Sequence, residues 1–324
     1  MNALSLFLPA VALASTLSPA GHQRPQAPPR GAASGAPLAL STISPRQIGP
    51  AVTSGRVISI AVHPTDKTTW YVGAACGGVW KTTNNGTTFT PIFDNEASYS
   101  IGTITIDPKR PNIVWVGSGE NNAQRSVGWG DGVYKSEDGG RSWKNMGLKS
   151  SEHIGKIIVD PRNPDTVWVA AQGPLWSAGG ERGLYRTTDG GKTWKEVYRS
   201  GRKFELIWKA SFVPGGDTGY ATVQSYDPER ATQLVIRSDD RGRTWREIAI
   251  AQDKTARQFG IGFVNADVGF VGTAAGGFAT SDGGKTWERA PIARAANKFQ
   301  AVATDKGVRL YAIGTEVQAI DLPR

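Results

Sequence analysis

Ser136-Glu137-Asp138-Gly139-Gly140-Arg141-Ser142-Trp143 is the stretch that decides the fold. A carboxylate two residues after a hydroxyl, with glycine and a second hydroxyl following, is the chemistry of a self-satisfied tight turn. The acid accepts backbone N–H bonds inside the turn, glycine permits a positive φ, and the indole leaves toward the core. The same pattern recurs at Thr82-x-Asn84-x-Gly86-x-Thr88-Phe89, Thr187-x-Asp189-x-Gly191-x-Thr193-Trp194, Ser238-x-Asp240-x-Gly242-x-Thr244-Trp245 and Thr280-x-Asp282-x-Gly284-x-Thr286-Trp287. Counted between the Asp/Asn positions, the spacings are 54, 51, 51 and 42 residues, so the chain is built from a repeated unit. Asn84, Asp138, Asp189, Asp240 and Asp282, with Trp143, Trp194, Trp245 and Trp287, are therefore expected to be structural.

Ahead of each box lies a β-rich run, a Pro/Asp/Gly turn and a second β-rich run. Examples are Ile104-Thr-Ile-Asp-Pro-Lys-Arg-Pro leading to Val114-Trp-Val-Gly, and Ile157-Ile-Val-Asp-Pro-Arg-Asn-Pro leading to Val167-Trp-Val-Ala. Each repeat reads as strand a, turn, strand b, loop, strand c, box, strand d, which is a propeller blade. Six a–b hairpins but five boxes are present, so the expected fold is an all-β propeller of about six four-stranded blades. Seven blades follow if a long loop hides further strands. The last blade lacks a fourth strand, and Ile43–Ile48 is the expected donor that closes the ring and hides its edges.

Residues 4–17 form an apolar run of leader length followed by small-residue cleavage patterns, too short to span a bilayer securely. Residues 1–20 are accordingly expected to be a signal peptide, 21–40 a disordered Pro/Gly/Ala-rich linker, and 41–324 the propeller, giving a periplasmic or secreted monomer with no integral membrane span. A net charge of +9 favours anionic partners. Without a compact Lys/Arg run, nucleic acid is not indicated. Cys76 is the single cysteine and excludes an internal disulfide, while three scattered histidines give no metal-ligand spacing, so neither metal nor cofactor is expected.

The boxes resemble those of the sialidase-like BNR-repeat superfamily. Gly77-Gly-Val-Trp-Lys-Thr-Thr, Gly117-Ser-Gly-Glu-Asn-Asn and Gly130-Asp-Gly-Val-Tyr-Lys-Ser make residues 44–198 similar to bacterial sortilin-type, Vps10-like BNR proteins. Phe259-Gly-Ile-Gly-Phe-Val and Gly276-Gly-Phe-Ala-Thr-Ser-Asp-Gly-Gly-Lys-Thr-Trp make residues 205–322 similar to relatives of the photosystem II stability/assembly factor. Xyloglucanase-like BNR hydrolases resemble Tyr71-Val-Gly-Ala-Ala-Cys-Gly-Gly-Val-Trp, and the resemblance implies a catalytic Asp two residues before the paired glycines. Ala75 stands there and can neither attack nor transfer a proton.

Strand alternation puts the b–c loops and d–a crossovers on the face opposite the boxes. That face carries the candidate ligand-binding residues Glu120, Asn121, Asn122, Arg125, Trp129, Trp176, Arg182, Tyr226 and Arg230, with Glu96, His153, Lys203, Glu205 and Lys298 in the crossovers. With no recognisable catalytic set, the expected function is an exported, non-catalytic binding or assembly propeller for a protein or anionic polysaccharide. The alternative is a sialidase- or xyloglucanase-like glycoside hydrolase, which needs two placed carboxylates.

Overall fold

A computed structural model describes residues 56–121, 127–202, 205–227, 229–292 and 294–323. The expected leader, linker and closing strand at Ile43–Ile48 lie outside the described residues, as do Asn122, Arg125 and Lys203. Every regular element among the described residues is a strand. Blade 1 comprises β1 (Val57–Val62), β2 (Trp70–Ala74), β3 (Gly78–Thr82) and β4 (Thr90–Pro91). Blade 2 comprises β5 (Ile101–Ile106), β6 (Val114–Ser118), β7 (Val133–Ser136) and β8 (Lys144–Asn145). Blade 3 follows as β9 (Ile154–Val159), β10 (Val167–Ala171), β11 (Gly183–Thr187) and β12 (Lys195–Tyr198). Blade 4 is β13 (Glu205–Phe212), β14 (Gly219–Ser225), β15 (Thr232–Ser238) and β16 (Arg246–Gln252). Blade 5 is β17 (Gln258–Phe263), β18 (Gly269–Thr273), β19 (Gly276–Thr280) and β20 (Glu288–Ala290). Blade 6 has β21 (Lys298–Thr304), β22 (Gly307–Ile313) and β23 (Val317–Pro323). Each sheet is an antiparallel meander in chain order, four-stranded in blades 1–5 and three-stranded in blade 6. No helix among the described residues is long and apolar enough to cross a membrane.

The first strand of each blade is innermost, and these inner strands pack on one another in the order β1, β5, β9, β13, β17, β21. Between β21 and β1 no comparable packing exists among the described residues, and Val57, Ile60 and Val62 on β1 and Val302 on β21 are exposed. The core lies between blades, as the clusters around Trp115 with Trp194, Trp168 with Trp245, and Tyr220 with Trp287 show.

The boxes form the network their composition implies. Asp138 accepts from the Ser136 hydroxyl (2.8 Å), the Ser142 amide (2.9 Å) and the Ser142 hydroxyl (2.6 Å), while the Gly140 amide donates to Ser136 Oγ (2.7 Å). Hydroxyl donors hold the acids well below the usual carboxylate range, Ser142 foremost for Asp138, Thr187 for Asp189 and Thr286 for Asp282. Partial burial pushes Asp240 up, but the hydroxyl and amide of Thr244 bring it down to about 2. A carboxylate depressed in the folded state stabilises above its unfolded value, and that contribution is lost as pH falls through the folded value. The urea midpoint is therefore expected to hold steady above pH ~5 and to fall steeply below pH ~4. Asp138→Asn is expected to flatten this acid limb, because Asn84 already occupies the first box and its Oδ1 accepts the Thr88 amide at 2.9 Å. An unchanged acid limb in the variant would contradict the assignment.

Successive blades are joined by a repeated forward latch. The aromatic of strand b and the cation at the end of strand c both reach into the next blade's box. Tyr71 Oη (3.0 Å) and Lys81 Nζ (2.8 Å) donate to the Gly139 carbonyl, Lys135 Nζ to the Gly190 carbonyl (3.5 Å), and Arg237 Nη1 to the Gly283 carbonyl (2.8 Å) with Tyr220 Oη beside it. In blades 1 to 4 the cation also lies over the aromatic face, Lys81 on Tyr71, Lys135 on Trp115, Arg186 on Trp168 and Arg237 on Tyr220. The box indole reaches backward, with Trp143 Nε1 donating to Ile92 O (2.6 Å) and Trp194 Nε1 to Met146 O (2.8 Å). Part of the positive charge is thus spent on joining blades.

Candidate functional site

The b–c loops and d–a crossovers lie together on one face and are stitched into a continuous rim. The Gly130 amide in the blade 2 loop donates to Glu152 O (2.7 Å) in the next crossover. Further along, the Glu181 amide donates to Ser150 O (3.1 Å), and the Ser150 amide returns to the Glu181 carboxylate (2.9 Å). Trp129, Trp176 and Tyr99 are exposed on this rim at 71%, 74% and 66%.

Between blades 3 and 4 the rim opens into a cavity of about 710 Å³ lined by Trp176, Arg182, Arg199, Arg202, Glu205 and Tyr226, among others. Five residues expected from the sequence meet here, Glu205 among them. Trp176, Arg182 and Tyr226 line the wall, and Arg230 Nε stands 3.5 Å from Glu205 Oε1. Glu205 is buried, and Arg202 Nε donates to its other oxygen at 2.6 Å. Arg202 continues to Glu247 (2.6 Å), whose carboxylate also accepts from Tyr198 Oη (2.6 Å). Burial lowers Arg182 and raises Tyr226 from their ordinary values. The Glu205 carboxylate is clamped between two guanidinium groups. This cleft can bind, through an aromatic wall and hydrogen-bond donors.

The neighbouring stretch of rim holds two carboxyl groups, Glu96 and Asp131. Glu96, in the crossover into blade 2, is raised by burial first and by Asp131 second. Asp131, in the blade 2 b–c loop, accepts from Tyr134 Oη (2.6 Å) and Asn145 Nδ2 (3.4 Å), and its Oδ1 lies 3.3 Å from Ser118 Oγ. A carboxyl raised by burial stands near a second carboxylate fixed by hydrogen bonds, an arrangement open to general acid and base work. Trp129 is two residues from Asp131, and its carbonyl accepts from Ser98 Oγ (2.7 Å) in the crossover that carries Glu96 and Tyr99.

Glu120 and Asn121 do not reach the rim surface, being 0% and 1% exposed. Gly119 adopts φ +85° against the Glu152 carbonyl, and the Glu120 amide donates to Ser100 Oγ (2.9 Å), so the loop turns inward at once. The Glu120 carboxylate pairs with Arg56 and lies 3.9 Å from Cys76 Sγ. Ala75, beside it, is buried at the end of β2. The sequence reading placed Glu96 in a crossover but missed its pairing with Asp131, which only the meeting of blades 1 and 2 creates.

The BNR/Asp-box repeat family matches residues 185–196. A probable oligoxyloglucan-reducing end-specific xyloglucanase from Neosartorya fischeri is 30% identical over 141 residues, covering 41% of this chain and 16% of that protein. A xyloglucanase from Acetivibrio thermocellus is 24% identical over 228 residues, 60% of this chain and 26% of its own length. The chain thus spans 16–26% of the length of these curated relatives. The crystal structure of the GH74 xyloglucanase from Xanthomonas campestris superposes with a TM-score of 0.58 at 17% identity, over 85% of this chain and 46% of that one, which shows a shared fold. These matches correct the expectation of a non-catalytic binding or assembly module, since the matching curated relatives are named as glycan-cleaving enzymes. That expectation rested on the lack of a recognisable catalytic set, Ala75 included, and on the net charge of +9, whereas the similarity extends over more than half of the chain.

Proposed function

We propose that this propeller belongs to a glycoside hydrolase acting on a β-glucan of the xyloglucan class, the glycan lying along the b–c rim. Three exposed rings, Tyr99, Trp129 and Trp176, offer flat apolar faces to sugar rings, and the cleft between blades 3 and 4 adds hydrogen-bonding groups. The observation that carries the reading is Glu96, a carboxyl raised by burial and by Asp131, in the crossover that also presents the exposed Tyr99 and whose Ser98 holds the Trp129 carbonyl. Glycosidic cleavage needs such a proton donor and an opposing carboxylate, and Asp131 fills the second role. Ala75 means that the acid of this chain is not the one implied for the first-blade motif. A polysaccharide substrate places the protein outside the cytoplasm, in keeping with the leader-like run at residues 4–17.

Reducing-end release from xyloglucan and other β-glucans by the full chain tests the proposal. Glu96→Gln is expected to lower kcat by roughly 10²–10⁴-fold with KM changed only a few-fold. Absence of turnover on the whole panel by the wild-type chain, or full activity in Glu96→Gln, would sink it.

A further inference from the structure

Two inner strands carry a lysine inside an otherwise apolar run, Lys156 in Ile154-Gly-Lys-Ile-Ile-Val and Lys209 in Leu206-Ile-Trp-Lys-Ala. A third, Lys298, opens β21. These strands belong to blades 3, 4 and 6, and side chains from all three can meet only around the axis that the inner strands surround. The register of the inner strands slips at this level, between Ala170 and Ala171 opposite β9 and between Ile207 and Ala210 in β13. Such bulges re-aim side chains, and here they take in Gly155, Trp208 and Lys209. Lys209 Nζ donates to the Gly155 carbonyl at 2.8 Å, which brings its ammonium beside Lys156. A methyl group placed on Gly155 would stand 3.0 Å from Asn121 Nδ2 and 3.3 Å from Gln172 Nε2, so both amides border the same space.

The two amides that border this space are buried and unpartnered. Asn121 and Gln172 are 1% exposed or less, and neither side-chain polar atom of either has a hydrogen-bond partner. Unpartnered buried amides are rare enough in native proteins that two beside one glycine call for an explanation. Among the described residues no carboxylate pairs with Lys156, Lys209 or Lys298. Burial first, then Lys156 and Lys298, push Lys209 down to about 7, and burial and Lys298 push Lys156 down to about 8. Lysines that repel one another without a counter-charge give up their protons more readily, and an anion between them would hold them charged.

We propose that the rim end of the axial space is a binding site for a small oxyanion, a phosphate or sulfate group, held by Lys156, Lys209 and Lys298 with Asn121 and Gln172 donating beside them. This site is separate from the rim acids and stands whether or not the glycan reading holds. The ligand would be either the free inorganic ion or the same group on a sugar.

The test is thermal stability of the full chain, titrated at constant ionic strength with inorganic phosphate, inorganic sulfate, chloride and glucose 6-phosphate. A saturable rise in Tm with phosphate or sulfate, absent with chloride, is expected, because a ligand that binds only the folded state stabilises it by mass action. If the group arrives on a sugar, glucose 6-phosphate saturates at lower concentration than the inorganic ion. Lys209→Met and Lys156→Met are each expected to weaken the apparent Kd at least tenfold, with a Tm in the absence of oxyanion no lower than that of the wild type. Lys306→Met, on the exposed β21–β22 turn, is expected to leave the response unchanged. The proposal is overturned if phosphate, sulfate and chloride act alike on the wild type, or if the response survives both axial lysine substitutions.

Discussion

Gly242→Ala is expected to destabilise the protein by about 2–4 kcal/mol, read as a lowered urea midpoint at unchanged m. Two independent effects act at this position. Its φ of +66° is a conformation that L side chains adopt only with strain, and a methyl group there would meet Trp168 Nε1 at 2.3 Å. Trp168 cannot retreat. It is 2% exposed, its ring centroid lies 4.5 Å from that of Phe212, and Arg186 covers its face. The clash term should vanish when the indole is removed. In a double-mutant cycle with Trp168→Ala, the two losses are therefore expected to fall short of additivity by more than ~1 kcal/mol. Additive losses would show that the close approach contributes nothing and backbone strain alone explains the effect.

The double substitution Arg202→Ala/Arg230→Ala is expected to cost about 3–5 kcal/mol at neutral pH, because it leaves the buried Glu205 carboxylate without either of its cationic partners. The deficit should shrink on acidification, since protonation removes the charge that has lost its compensation. Glu205→Gln added to the pair should recover much of the loss at neutral pH. A deficit that is independent of pH and not recovered by glutamine would mean that the arginines matter only for packing. The same cleft is where Trp176 and Tyr226 meet, so a glycan that binds there should be lost together with the stability.

The fold was legible in the sequence because its determinants are local. Each box carries its whole hydrogen-bond network within eight residues, as Ser136 to Trp143 shows, and repetition supplies the rest. Loop position also told which residues share a face, so Trp176, Arg182, Tyr226 and Arg230 could be grouped before their cleft was seen. Depth could not be read this way. Glu120 and Asn121 follow Gly119, whose positive φ turns the chain inward, and a polar loop sequence does not announce that turn. Nor could the approach of Glu96 to Asp131, or of Lys156 to Lys209 and Lys298, since these depend on contacts between segments well separated in the chain. One signal was present and went unused: a lysine in the middle of an apolar inner strand, as in Ile154–Val159, is a residue that periodicity cannot account for.

The latches described above run in one direction, and they stop. Blade 5 carries Phe270 where blades 1 to 4 carry Tyr or Trp with a polar atom, and Ala279 where they carry Lys or Arg, so nothing polar reaches from those positions into the sixth sheet. Cooperativity along the array is therefore uneven. Amide exchange should be slowest through the middle sheets and quickest past Ile292, where the final sheet can open by itself while its predecessors stay shut.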